Sequence, residues 1–150
     1  MCGILLVKSR DQIPVEQHLD AFVKLQSRGP DFCRYDYKNN IFIGQAVLHI
    51  TGSADYYHTV HKNFLAYNGE IYNYQNFGPF DNDIEFVDHA VKNDLELLAQ
   101  GWGPWAWAWT DGVTVRYASD PQGERCLYQY HDDDILIVCS EVAPILDYVG

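Results

Sequence analysis

Trp105-Ala106-Trp107-Ala108-Trp109-Thr110-Asp111-Gly112 alternates a large aromatic with a small residue and ends on a turn dipeptide. A period of two marks a strand with two unlike faces, and Asp-Gly favours a tight hairpin into a further strand over 113–118. The tryptophan stripe reads as core, not as an aromatic ligand platform. Downstream, strands over 126–130 and 135–139 flank the polar turn His131-Asp132-Asp133-Asp134, and a short helix over 141–148 follows. Upstream, the apolar run over 3–7 predicts a buried strand. Pro14 opens a helix to Ser27 with Val15, Leu19, Phe22 and Val23 on one face, and Arg28-Gly29-Pro30-Asp31 breaks it. Strands over 32–37, 41–50 and 63–67 follow, with a polar loop over 51–62. The clearest helix spans 83–98, where Ile84, Val87, Val91, Leu95 and Leu98 recur at three and four residues before Gly101. Separated helices among many strands predict an α+β layered fold, with sheets face to face and helices outside.

The 150 residues are 47% hydrophobic and carry 10 basic against 21 acidic side chains, a net charge of −11. This is the composition of one globular domain over 1–150. The acidic balance opposes binding to a phosphate backbone, so no nucleic acid is expected. No apolar run approaches a membrane span, and the expected setting is cytoplasmic. Cys2, Cys33, Cys126 and Cys139 show no metal-binding spacing and no disulfide framework. The last three fall in predicted strands, where cysteine is usually a small buried residue. His58-x-x-His61 and the turn at 131–134 read as loop chemistry, so neither a metal nor a cofactor is expected.

Cys2 stands apart. Removal of the initiator methionine would place a thiol and an α-amine on one residue. Their ordinary pKa values, about 8.5 and 7.7–8.0, lie close enough for the amine to relay the thiol proton.

Four segments share one order: Met1-Cys2-Gly3-Ile4, Ser27-Arg28-Gly29-Pro30-Asp31, Tyr67-Asn68-Gly69-Glu70-Ile71-Tyr72-Asn73, and Asp120-Pro121-Gln122-Gly123-Glu124-Arg125-Cys126-Leu127-Tyr128. Together with Ser140-Glu141, this resembles the class II glutamine amidotransferases, and in particular the glutaminase domain of asparagine synthetases. The resemblance implies an N-terminal-nucleophile (Ntn) hydrolase fold, an αββα sandwich of two antiparallel sheets between helical layers. It implies hydrolysis of a side-chain amide through a thioester on Cys2, with ammonia passed to a second active site. Asn68 and Gly69 match the oxyanion hole, although Asn-Gly alone would equally suit a hairpin turn. Glu70 and Asp83 match positions that hold the substrate α-amine. Asp83 also suits a helix start after Asn82, with Glu85 completing a capping box. Arg28 matches an arginine near the nucleophile.

One position departs from the family pattern. An arginine in a G-H-x-R-x-S strand normally holds the glutamine α-carboxylate, and the matching stretch here is Gly44-Gln45-Ala46-Val47-Leu48-His49. Valine offers no guanidinium fork. Three explanations compete: His49, two residues on, contacts the carboxylate instead; the substrate is a related amide without that carboxylate; or the domain is a catalytically impaired binding or regulatory subunit. The synthetase domain of asparagine synthetases has no counterpart in these residues. A separate ATP-dependent synthetase or ligase is therefore the expected partner.

Overall fold

The computed structural model describes residues 2–29, 31–47 and 64–150. Among these, β1 (Gly3–Ser9), β2 (Phe32–Lys38), β3 (Ile41–Val47), β7 (Tyr128–His131) and β8 (Ile135–Cys139) form a five-stranded sheet in the order β2-β3-β1-β8-β7. A three-stranded sheet, β4-β5-β6, is built from β4 (Phe64–Gly69), β5 (Trp105–Thr110) and β6 (Val115–Ser119). Every pairing in both sheets is antiparallel. The α-helices are α1 (Val15–Phe22), α2 (Asp83–Asn93) and α3 (Val142–Val149).

Period-two alternation sorts side chains into three apolar layers. Leu5, Val7, Phe42, Ile137 and Cys139 pack against Ala21 and Phe22 of α1 and Ile145 of α3. Ile4 and Leu6, on the opposite face of β1, join Ile41, Ile43 and Val138 against Ala66 and Ala108 of the second sheet. On that sheet's far side, Leu65 and Tyr67 meet Ile84, Phe86, Val87 and Val91 of α2. The order is helix, sheet, sheet, helix, the αββα sandwich expected.

The tryptophans of β5 lie in the outer layer, under α2, and not between the sheets. It is the alanines between them that face the other sheet, with Ala108 packed in the layer between the two. Small residues there let the sheets approach, while the indoles supply bulk beneath the helix.

Several boundaries differ from expectation for local reasons. The helix predicted over 83–98 ends at Asn93, because Asp94 is extended (φ −158°, ψ 90°) and its carboxylate accepts the Glu96 N–H to start a 3₁₀ helix, Leu95–Gln100. Local side-chain bonding by aspartate overrides the apolar period, and Leu95 ends up exposed. The first helix tightens into a 3₁₀ segment, Val23–Arg28, which turns Val23 outward and Leu25 inward. Asp111 accepts the N–H groups of Val113 and Thr114, so the turn lengthens and β6 begins at Val115. Cys126 precedes β7, and both it and Cys33 are exposed, contrary to their reading as buried strand residues; Cys2 and Cys139 are buried. No disulfide links the four. Asp132 caps the β7–β8 turn through the N–H groups of Asp134 and Ile135. His49, the loop over 51–62 and His58-x-x-His61 lie outside the described residues. No helix among the described residues is long and apolar enough to cross a membrane.

Candidate functional site

Cys2 sits at the entry to β1, where the first sheet meets the end of β4 in the second. Ser140 pins this entry: its N–H donates to the Ile4 carbonyl (3.0 Å), and its hydroxyl accepts the Ile4 N–H (2.9 Å). Arg28, at the end of the 3₁₀ turn, lies beside it. Its Nε approaches the Cys2 carbonyl at 3.4 Å, while Nη1 pairs with Glu141 Oε1 at 3.1 Å. The Ser-Glu pair before α3 thus braces both the start of β1 and the arginine.

From the other sheet, the buried Asn68 accepts the Cys2 backbone N–H on Oδ1 at 3.2 Å. An N–H can bond only the amide oxygen, which directs Nδ2 elsewhere. Nδ2 is buried and has no acceptor among the described residues. A buried amide donor left unmatched costs about 1–3 kcal/mol, so its retention beside a thiol is informative.

Asn68-Gly69 is not a hairpin turn. Both residues continue the ladder, opposite Ala106 and Trp105. Gly69 has φ +145°, and a Cβ there would lie 2.2 Å from the Pro104 carbonyl oxygen. Only glycine satisfies both constraints.

Glu70 and Asp83 attach to the same strand end. Glu70 is half-buried and donates its N–H to the Pro104 carbonyl (2.8 Å). The Tyr72 hydroxyl bonds the Glu70 carboxylate, and that bond with the adjacent charge raises the phenol above its ordinary range. Asp83 opens α2 and accepts on Oδ2 from the Tyr67 hydroxyl (3.0 Å) and the Ile71 N–H (3.1 Å). Burial raises its carboxyl above the usual range despite those donors. The capping bonds belong to Asn82, which accepts the Glu85 N–H, while Glu85 reaches back to the Asp81 N–H. Asp83 is therefore not the helix cap. Its carboxylate ties Tyr67 to Ile71 across the Asn68–Glu70 segment.

Cys2, Arg28, Asn68 and Gly69 converge, with Glu70 and Asp83 framing the strand end. Val47 is fully buried, its carbonyl accepting the Asp31 N–H (3.1 Å). Ser140-Glu141, Tyr67, Arg34 and Gln45 carry no assigned role in the sequence pattern. A glutamine inside the apolar run of β3 was the available signal.

A family model described as a glutamine amidotransferase domain matches residues 1–79. Among solved structures, the chain is similar to the glutamine phosphoribosylpyrophosphate amidotransferase of B. subtilis, solved in complex with ADP and GMP, with a TM-score of 0.74 at 18% identity. The match covers 96% of this chain and 43% of that one, so the chain spans less than half of that protein. No curated protein matches in sequence.

Proposed function

Because the chain belongs to the glutamine amidotransferase domain family, we propose that residues 1–150 are a glutaminase domain acting through Cys2. The Cys2 sulfur attacks the side-chain amide carbon of glutamine or a related amide, and its proton passes to the α-amine exposed once Met1 is removed. Asn68 Nδ2 and the Gly69 N–H stabilise the oxyanion. Collapse breaks the C–N bond and expels ammonia with the relayed proton. Water then hydrolyses the thioester, returning the thiol and the carboxylic acid product. Glu70 and Asp83 take the substrate ammonium through charge-assisted hydrogen bonds, and Arg28 orders the nucleophile end. The ammonia is consumed by a separate ATP-dependent synthetase, in the cytoplasm, where a thiol nucleophile stays reduced.

The observation that carries this reading is the buried Asn68 Nδ2, without an acceptor among the described residues, on a side chain whose other end holds Cys2. Loss of one oxyanion donor typically lowers kcat about 10²–10³-fold. Ammonia and glutamate should form from glutamine, with a Cys2 thioester in the intact mass of the Met1-processed protein. Cys2→Ala should abolish both. Absence of turnover and of any Cys2 adduct in the processed wild type, with or without a candidate synthetase, overturns the proposal.

The burial of Val47 favours a second reading of the substrate: an amide whose α-carboxylate is not held by a guanidinium at this position. Comparing glutamine with amides blocked at that carboxylate separates the two. Preference for the blocked amide supports the second.

A further inference from the structure

We infer that Arg34 and Gln45 form a clamp between the two sheets that sets the Asn68–Gly69 backbone against Cys2, making them positioning residues for the acyl transfer proposed above, on which this inference rests. In the order β4-β5-β6, β4 has a partner strand on one side only among the described residues. The Glu70 N–H bonds the Pro104 carbonyl, and the ladder runs Gly69 opposite Trp105. Antiparallel pairs alternate, so residues 65, 67 and 69 turn their backbone groups away from β5.

Two of those outward groups are occupied by side chains of the first sheet. Arg34 Nη2 donates to the Leu65 carbonyl (2.5 Å), and Gln45 Nε2 donates to the Tyr67 carbonyl (2.6 Å). The third outward position is Gly69, whose N–H continues the same row towards the Cys2 end. The Tyr67 carbonyl belongs to the peptide that supplies the Asn68 nitrogen, so Gln45 grips the link immediately before the oxyanion residues.

The clamp is anchored at its other end as well. Arg34 and Gln45 face each other across β2 and β3, with Arg34 Nη2 3.4 Å from Gln45 Oε1. The guanidinium lies over the Phe64 ring at 4.0 Å, a cation–π contact that holds it on β4. Gln45 is also opposite Ile4, two residues beyond Cys2. A fully buried glutamine in an otherwise apolar strand therefore spans from the register of the nucleophile to the backbone of the oxyanion residues. Sheet-on-sheet apolar packing is non-directional and would tolerate sliding. Two directional bonds to fixed carbonyls would not.

The test compares a reaction that needs the oxyanion hole with one that does not. Amide hydrolysis passes through a tetrahedral oxyanion. Alkylation of Cys2 by iodoacetamide forms a C–S bond, expels iodide and releases the thiol proton, with no such intermediate. Gln45→Met keeps the volume and removes the donor. It should lower kcat for glutamine hydrolysis roughly 10- to 100-fold, the scale of a displacement of about 1 Å, while the alkylation rate at Cys2, read on the N-terminal peptide, stays within about twofold. Arg34→Met should do the same more weakly, and Arg34→Lys, which keeps the cation over Phe64, should recover part of the loss. Hydrolysis unchanged in Gln45→Met, or hydrolysis and alkylation falling together, overturns the clamp. Should Gln45→Met fail to fold, the two substitutions at the partly exposed Arg34 decide by the same ratio. A wild type inert in both hydrolysis and Cys2 acylation removes the functional reading and the clamp together; an active wild type with unaffected variants removes the clamp alone.

Discussion

His18 lies on the inner face of α1, fully buried, stacked on Phe42 with ring centroids 4.9 Å apart and edge-on to Tyr37 at 4.8 Å. Its Nδ1 is 2.8 Å from the Tyr148 hydroxyl. Burial, which penalises the charged ring, lowers its pKa to about 4 from 6.5. The folded protein therefore binds fewer protons than the unfolded chain between these values. The stability contributed by neutral His18 is complete above pH 6.5 and is lost as pH falls towards 4, a change of about 3 kcal/mol. Thermal unfolding followed by circular dichroism should show a melting temperature that drops through this window. His18→Phe should remove that component of the pH profile; an unchanged profile would mean that other groups carry the acid sensitivity. At the same scale, burial pushes the Cys139 thiol up to about 12, so it behaves as an apolar core atom and not as a nucleophile.

Among the elements, the loop from Asp120 to Arg125 depends on one carboxylate. Buried Asp120 accepts N–H bonds from Trp105 (3.1 Å), Glu124 (3.0 Å) and Arg125 (3.0 Å), fastening the loop to the start of β5. Burial alone would raise its pKa, but the bonds from Arg125, Glu124 and Trp105 outweigh it and hold the carboxyl below the ordinary range. Its stabilisation is thus present above the unfolded value and lost as pH falls through the lower folded one. Asp120→Ala leaves three N–H groups without their acceptor and should cost about 3 kcal/mol, measurable by urea unfolding at neutral pH. A loss under about 0.5 kcal/mol would mean the loop is held by other contacts. The D-P-x-G-E-R segment was visible in the sequence as a motif, but its fastening was not, because it requires knowing that β5 begins beside it. The same limit explains the helix that stops at Asn93: an apolar period of three and four continues through Leu95 and Leu98, and only the backbone angles at Asp94 reveal the break.

At the scale of the molecule, the layers were readable because each strand declares its two faces. Leu5 and Val7 alternate with Ile4 and Leu6, and the two sets enter different cores. At the candidate site, Cys2, Arg28, Asn68 and Gly69 come from separate stretches of sequence and are neighbours in the fold. What escaped was the support between sheets. Arg34, Gln45 and Glu141 are far in sequence from the backbone groups and side chains they hold, and no local pattern announces a polar bond across a layer.

The placement of the tryptophans makes the molecule its own optical reporter. Trp105, Trp107 and Trp109 lie in one strand under α2, each less than one-tenth exposed, whereas Trp102, just before that strand, is 72% exposed. Emission from the native protein should therefore resolve into a blue-shifted majority and one red-shifted component. Acrylamide should quench Trp102 first, and Trp102→Phe should leave a signal almost insensitive to quencher until α2 detaches from its sheet. Persistent easy quenching in that variant would place a gap beneath the helix. The strand that orders the outer layer would then report, by colour, when that layer opens.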